Sequence, residues 1–329
     1  MPVMTDLPLT LSSDKNVTTN DACHTTSRPA TSIHGSTVLL LDVAYIVMGI
    51  VGTGLNLFAC IVMTRYQPMT KRLHNYFLLN QTILDLVVGA MQVINIALLR
   101  MKATGLSLYV WCYVVQSRVA FNGPMLASTW NLAGLSVERY MEIVHPIRHK
   151  MLVTRRKVCA AMICAWLFGI GFKVVAVLPV IHIVNDVCIP AHTTEAQVFA
   201  IILLHSGFEF FIPVGISSFC YVAMFRTVRC VKFSSSMSQM SKASKNIIKI
   251  LIIVTVSFIV SAGPKQIYLV VVGANIMSNA FTGPLYNSLT FMSYLTCILN
   301  PFIYLFKYDE FQRGVKVVIC RRKLNNVAT

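Results

Sequence analysis

Ser136-Val137-Glu138-Arg139-Tyr140, followed by His145-Pro146, closes a stretch from Cys112 to Lys150 whose reading decides the fold. The segment is a long apolar helix pattern that ends abruptly in charge. Arg139 is the only lysine or arginine between Val119 and Ile147, and residues Phe121 to Val137 carry no charge. In a soluble helix Glu138 and Arg139 would be one more surface pair. After so long an uncharged run they mark a membrane edge, where an arginine needs a partner. Glu138 supplies one until something competes for it, which is the chemistry of a switch.

The rest of the chain agrees. Of 329 residues 56% are hydrophobic and 12% charged, about half the charge of a soluble domain. Apolar runs long enough for a hydrocarbon core of roughly 30 Å recur seven times, at residues 38–64, 74–99, 112–144, 158–181, 198–225, 247–272 and 284–306. The fold class is therefore an all-α membrane protein, a seven-helix bundle. Residues 1–37 read as a flexible polar tail, 38–306 as the transmembrane domain and 307–329 as a terminal helix and tail.

The net charge of +16 suggests nucleic acid only until its distribution is read. Twenty of the 28 lysines and arginines lie in the first, third and fifth connections and the C-terminal tail. The opposite side holds Lys15, Arg28, Arg100 and Lys102. That imbalance puts the N-terminus outside and excludes a nucleic-acid partner. Asn16-Val17-Thr18 is then a glycosylation sequon on the accessible side. Phe311, Val315, Val318 and Ile319 repeat at helical spacing among Arg313, Lys316 and Arg321, the pattern of a helix on the inner lipid leaflet. Cys320 at its end is a site for palmitoylation or a plain thiol.

Polar groups inside the spans are the functional pointers, because each is costly unless partnered. Asp85 centres the second span, with Asn56, Ser128 and Asn300 able to reach one interior point. Such oxygens suit either a hydrated network or a sodium ion. Nearer the outside stand Arg118, Lys173, His205, Glu209 and Lys265. His205 and Glu209 share a helix face, and Lys265 follows Pro264, which should kink the sixth span. Arg118 and Lys173 either snorkel to the headgroups or face a pocket, and the excess of cations points to a ligand with an anionic part. Gly49, Gly52 and Gly54 read as close helix contact. No nucleophile elbow, zinc-protease, phosphate-loop or dinucleotide motif is present, so the chain reads as a non-enzyme.

Asn56, the Leu79-to-Asp85 run, Glu138-Arg139-Tyr140, Trp166, Pro213, Pro264 and Asn300-Pro301-Phe302-Ile303-Tyr304 follow one another, one set per span. In this the chain resembles a rhodopsin-like (class A) G protein-coupled receptor from about Leu40 to Cys320. The resemblance implies that Arg139 leaves Glu138 on activation, faces a heterotrimeric G protein and is joined by Tyr221 and Tyr304. It implies a core relay of Thr129, Pro213 and Phe258 below the ligand, with Pro264 in the same helix. It implies a sodium site at Asp85, Ser128 and Asn300, and a disulfide between Cys112 and Cys188. The ligand pocket would gather Arg118, Phe121, His205, Glu209, Lys265 and Tyr294.

There are departures. Ala262 stands where the family usually has a toggle tryptophan, and Ser244 where many members have an acid facing the arginine. With Lys242, Lys245 and Lys249 nearby, elevated basal signalling is expected. Cys112 lies 27 residues before Arg139, two more than usual, and Gly123-Pro124 should absorb the difference as a bulge. Phe121 stands where aminergic receptors place their acid, and Tyr294 where opsins place their lysine, so amine and retinal ligands are excluded. A peptide, lipid, nucleoside or small organic anion remains. The competing readings are a constitutive receptor without conventional agonist and, more remotely, a transporter.

Overall fold

The computed structural model describes residues 31–66, 69, 72–98, 104–184, 187–190, 194–231, 242–274 and 283–320. Asn16 lies outside these residues. Six helices are long and apolar enough to cross a membrane. They belong to the first span (Thr31–Arg65), the second (Leu73–Leu98), the fourth (Arg155–Val177), the fifth (Glu195–Val228), the sixth (Lys242–Gly273) and the seventh (Pro284–Lys307). The third, Val119–Val144, is long enough but more polar, carrying Asn122, Asn131 and Ser136 as well as its charges. It can be so because it is central: it packs against the second, fourth, fifth and sixth spans, which cover its polar groups. The apolar faces turned outward, at Leu40, Leu167 and Phe219, are those a bilayer would solvate.

The third span is not the continuous helix from Cys112 that the sequence suggests. A short helix, Leu106–Val110, runs into a π-turn at Trp111–Gln116, where the Ser117 amide bonds the Cys112 carbonyl five residues back at 3.3 Å. Arg118 then adopts φ 58°, and a new helix begins at Val119. The wide turn and this left-handed residue absorb the extra length. Gly123-Pro124 does not: the helix continues through both. Gly123 is spent on packing instead, since a Cβ there would lie 3.1 Å from the Ile170 backbone. Opposite, a Cβ on Gly169 would lie 2.5 Å from the Gly123 carbonyl oxygen. Spans three and four therefore touch backbone to backbone.

The first two spans meet in the same way at Gly49 and Gly89. A Cβ on Gly52 would make only ordinary contact and one on Gly54 none, so the expected glycine cluster narrows to one position. The fourth span ends at Val177, short of the expected 181, because Ile181–Val184 (β1) turns into a hairpin with Val187–Pro190 (β2). Ile183 pairs with Cys188, and the disulfide from Cys112 and a bond from the Tyr113 hydroxyl to the Ile181 carbonyl (3.1 Å) pin the hairpin over the bundle.

At the opposite end the terminal helix Asp309–Cys320 docks on the first and seventh spans. Phe311 is buried in the largest apolar cluster with Met63, Tyr304 and Tyr308. Glu310 pairs with Arg72 at 2.9 Å, and the Tyr308 hydroxyl donates to Asn75 Oδ1 at 2.6 Å. Burial and the Glu310 charge push the Tyr308 hydroxyl above its ordinary pKa, so it stays a donor.

Candidate functional site

Three polar centres lie along the bundle axis. At the Arg72 end, Arg139 is 3% exposed and its guanidinium grips Glu138 with two parallel bonds, Nε to Oε2 at 2.6 Å and Nη2 to Oε1 at 2.8 Å. Its Nη1 is held by Glu142, one turn on in the same helix. His149 Nε2 meets Glu138 Oε1 at 3.1 Å, and Tyr140 meets His145 at 3.3 Å. Arg139 is therefore not short of an acid. The acid missing at Ser244 has a counterpart in Arg139's own helix, and on that ground low rather than elevated basal signalling becomes the expectation. The clasp sits wholly on the third span, and among the described residues no ion pair joins it to the sixth. Glu142 stands three residues after Arg139, a spacing that i, i+3 pairing could have flagged.

Tyr221 is not yet at Arg139. Its hydroxyl meets Ser136 Oγ and Thr255 Oγ1, each at 2.8 Å, tying the third, fifth and sixth spans together. Tyr304 is fully buried and its hydroxyl has no partner among the described residues. Of the expected relay, Pro213 is buried and Thr129 spends its hydroxyl on the Leu126 carbonyl. Phe258 packs on Phe210, ring centroids 5.6 Å apart, and Phe210 also abuts Ala262 and Gly263. The small pair at 262 and 263 thus makes room for Phe210, a member that the sequence reading misses.

In the middle, Asp85, Ser128 and Asn300 do come together, and Pro301 lies buried beside Asn300 in the seventh span. Asn300 Nδ2 donates to Asp85 Oδ2 at 2.7 Å and Ser128 Oγ to Oδ1 at 3.2 Å. Gln81, one turn before Asp85, aims its amide between them: Nε2 donates to Asp85 Oδ1 at 3.4 Å and to Ser128 Oγ. Gln81 Oε1 in turn accepts from Asn131, Asn131 from Asn80, and Asn80 from Trp166 Nε1. Both oxygens of Asp85 thus face N–H or O–H donors. The acceptors left over, Asn56 Oδ1 and Asn300 Oδ1, are neutral amide oxygens. This donor-rich set does not fit a sodium ion, because the Gln81 and Ser128 donors already face Asp85 Oδ1 and the Asn300 amide faces Oδ2. Gln81→Leu is expected to change that. In the purified protein its unfolding temperature should rise when sodium chloride replaces choline chloride, while the unmodified protein shows no such difference; equal behaviour of the two would contradict it.

Toward the hairpin, the expected pocket resolves into two sets. Lys173 does not snorkel: it is 4% exposed, donates to Glu209 Oε2 at 2.8 Å and touches His205. His205 Nε2 meets the same Glu209 oxygen at 3.0 Å, so one carboxylate serves both side chains between the fourth and fifth spans. The second set centres on the Tyr294 ring. Phe121 packs edge-on at 4.8 Å and Tyr45 at 5.6 Å. Arg118 lies 5.8 Å and Lys265 5.7 Å from its centroid, contacts in the range of cation–π attraction. Arg118, 4% exposed, donates Nη2 to Gln92 Oε1 at 2.8 Å. Holding a non-glycine residue at φ 58° costs about 1 kcal/mol. Gln92 has no signal in the sequence, because its partner lies on another helix.

Residues 55–304 match the family model described as "7 transmembrane receptor (rhodopsin family)". The chain is also similar to somatostatin receptor type 1 of Rattus norvegicus, Mus musculus and Canis lupus familiaris, each 26% identical over 305 residues, covering 88% of this chain and 74% of the relative. The match spans all three centres, and with Arg139 held at the end of the third helix it identifies the chain as a member of the rhodopsin family of seven-transmembrane, G protein-coupled receptors.

Proposed function

We propose that the protein sits in the cell membrane with its N-terminus outside and couples an extracellular peptide to a heterotrimeric G protein. The observation that carries this is the Arg139 clasp: a buried cation gripped by two carboxylates beside the most basic connections of the chain. The charge asymmetry supports the orientation, and similarity to receptors named for somatostatin supports a peptide. The amphipathic helix Asp309–Cys320 supports contact with inner-leaflet lipids, and Cys320 would be its acylation site. Asn16 would then carry a glycan on the outer side. Signalling is a population shift: ligand favours the form in which Arg139 has left its carboxylates, and bound G protein reciprocally raises ligand affinity.

The test is nucleotide exchange on a set of heterotrimeric G proteins, in membranes containing the full chain, with somatostatin and shortened or terminally modified peptides as stimuli. At least one peptide should stimulate exchange, and Arg139→Ala should reduce the response tenfold or more at equal surface density. No stimulation by any of these peptides, or a response unchanged by Arg139→Ala, would contradict the reading.

A further inference from the structure

We infer that Arg118 and Gln92, with Lys265 beside them, form a subsite for a carboxylate. This deepens the receptor reading and rests on it. The first observation is a charge without a counter-charge. Arg118 is buried inside the bundle, yet no described carboxylate lies within ion-pairing distance of it. Glu209 is taken by Lys173 and His205, and Asp85 by Gln81, Ser128 and Asn300. Buried cations are ordinarily paired. What surrounds this one is an amide oxygen and the faces of Phe121 and Tyr294.

The second observation is the state of the donors. Arg118 Nε and Gln92 Nε2 are both buried and both lack an acceptor among the described residues. The two groups are already joined by the Arg118–Gln92 bond, so their free N–H groups belong to one small constellation. An acceptor with two coplanar oxygens satisfies both, and a negative one also supplies the missing charge. That is the chemistry of a carboxylate. The third observation is the backbone: Arg118 is the one described non-glycine residue with positive φ. That conformation absorbs the extra length of the segment and fixes the buried cation at the break between two helices, in place before anything binds. Lys265, over the same Tyr294 ring, adds positive potential. The rings of Phe121, Tyr294 and Tyr45 offer an apolar wall to whatever the carboxylate is attached to.

The carboxylate can be a peptide's C-terminus or belong to a small acid. Two probe pairs separate these: N-acetylphenylalanine against its amide, and acetyl-Gly-Gly-Gly-Phe with a free or amidated C-terminus. Each is added to purified full-length receptor and the unfolding temperature is read. With all four probes at one equal concentration, about ten times the dissociation constant of the tighter acid, that acid should raise it by roughly 2–5 °C and the amides by less than about 1 °C. A larger shift from the peptide acid than from the small acid identifies the peptide source, and the reverse identifies the small acid. Arg118→Gln should abolish the shift while unfolding, ligand-free, at the same or a higher temperature than the unmodified receptor, since an unpaired buried charge has been removed. Arg118→Lys, which keeps the charge but loses the fork, should fold and give a weakened response. Equal shifts from acid and amide, no shift at all, or an unchanged response in the variants would overturn the proposal. So would a ligand-free Arg118→Gln protein that unfolds several degrees lower, because Arg118 would then be a structural tether. Coupling through Arg139 does not enter this assay, so failure here leaves the receptor reading standing.

Discussion

Replacing Glu138 and Glu142 together by glutamine is expected to raise ligand-free G protein activation about tenfold or more over the unmodified receptor. The clasp biases Arg139 towards its own helix, and each 1.4 kcal/mol of bias removed multiplies the released population about tenfold. The two acids do not contribute equally. Glu138 is 3% exposed and binds Arg139 through two aligned bonds, whereas the Glu142 side chain is 39% exposed and screened by solvent. An exposed pair of that kind contributes about 0.2–1 kcal/mol. Loss of a buried charge partner costs more, up to about 3–5 kcal/mol. Glu138→Gln alone should therefore give most of the rise and Glu142→Gln alone a two- to fivefold rise. Accumulation of a G protein-regulated second messenger, normalised to surface density, measures both. Single variants that both remain at the unmodified level would show that the clasp does not restrain the receptor.

Gly169→Val is expected to leave less than about a tenth of the normal amount of folded receptor at the surface. The new Cβ alone would sit 2.5 Å from the Gly123 oxygen, 2.7 Å from the Ala127 amide nitrogen and 2.9 Å from the Ala127 Cβ. Two of these are backbone atoms of the central helix, so no side chain can rotate away and the fourth span must move outward. Overpacking in a well-packed core costs about 1–3 kcal/mol or more, and in a bilayer no hydrophobic gain offsets the lost contact. Gly171→Val, two residues along the same helix with nothing within 4 Å of its Cβ position, is the control and should be near normal. Surface labelling and the size-exclusion profile of detergent extracts measure both. Equal yields would mean that spans three and four do not touch as described.

The parts of this architecture that the sequence makes legible are those where local chemistry forces the residue. A carboxylate in the second span, an arginine at a membrane edge and prolines inside helices need no neighbour to be recognised. The break at Arg118 is not legible, because a π-turn and a left-handed arginine carry no marker. Gly123-Pro124 carries the usual marks of a bulge, but there the glycine serves the approach of Ile170. Side-chain partners divide the same way. Glu142 and Gln81 lie one turn from the residues they bind and are readable from helical spacing. Gln92 with Arg118, Phe210 with Ala262 and Lys173 with Glu209 join different helices, and only packing reveals them.

The most direct measurement compares four proteins in cells without ligand: unmodified, Arg139→Ala, Glu138→Gln/Glu142→Gln, and the triple variant that adds Arg139→Ala to the pair. At matched surface density the unmodified receptor should be nearly silent and the double variant strongly active. The triple variant should fall back to the level of Arg139→Ala. A triple variant as active as the double would contradict the account, since the signal would then reach the G protein without passing through Arg139.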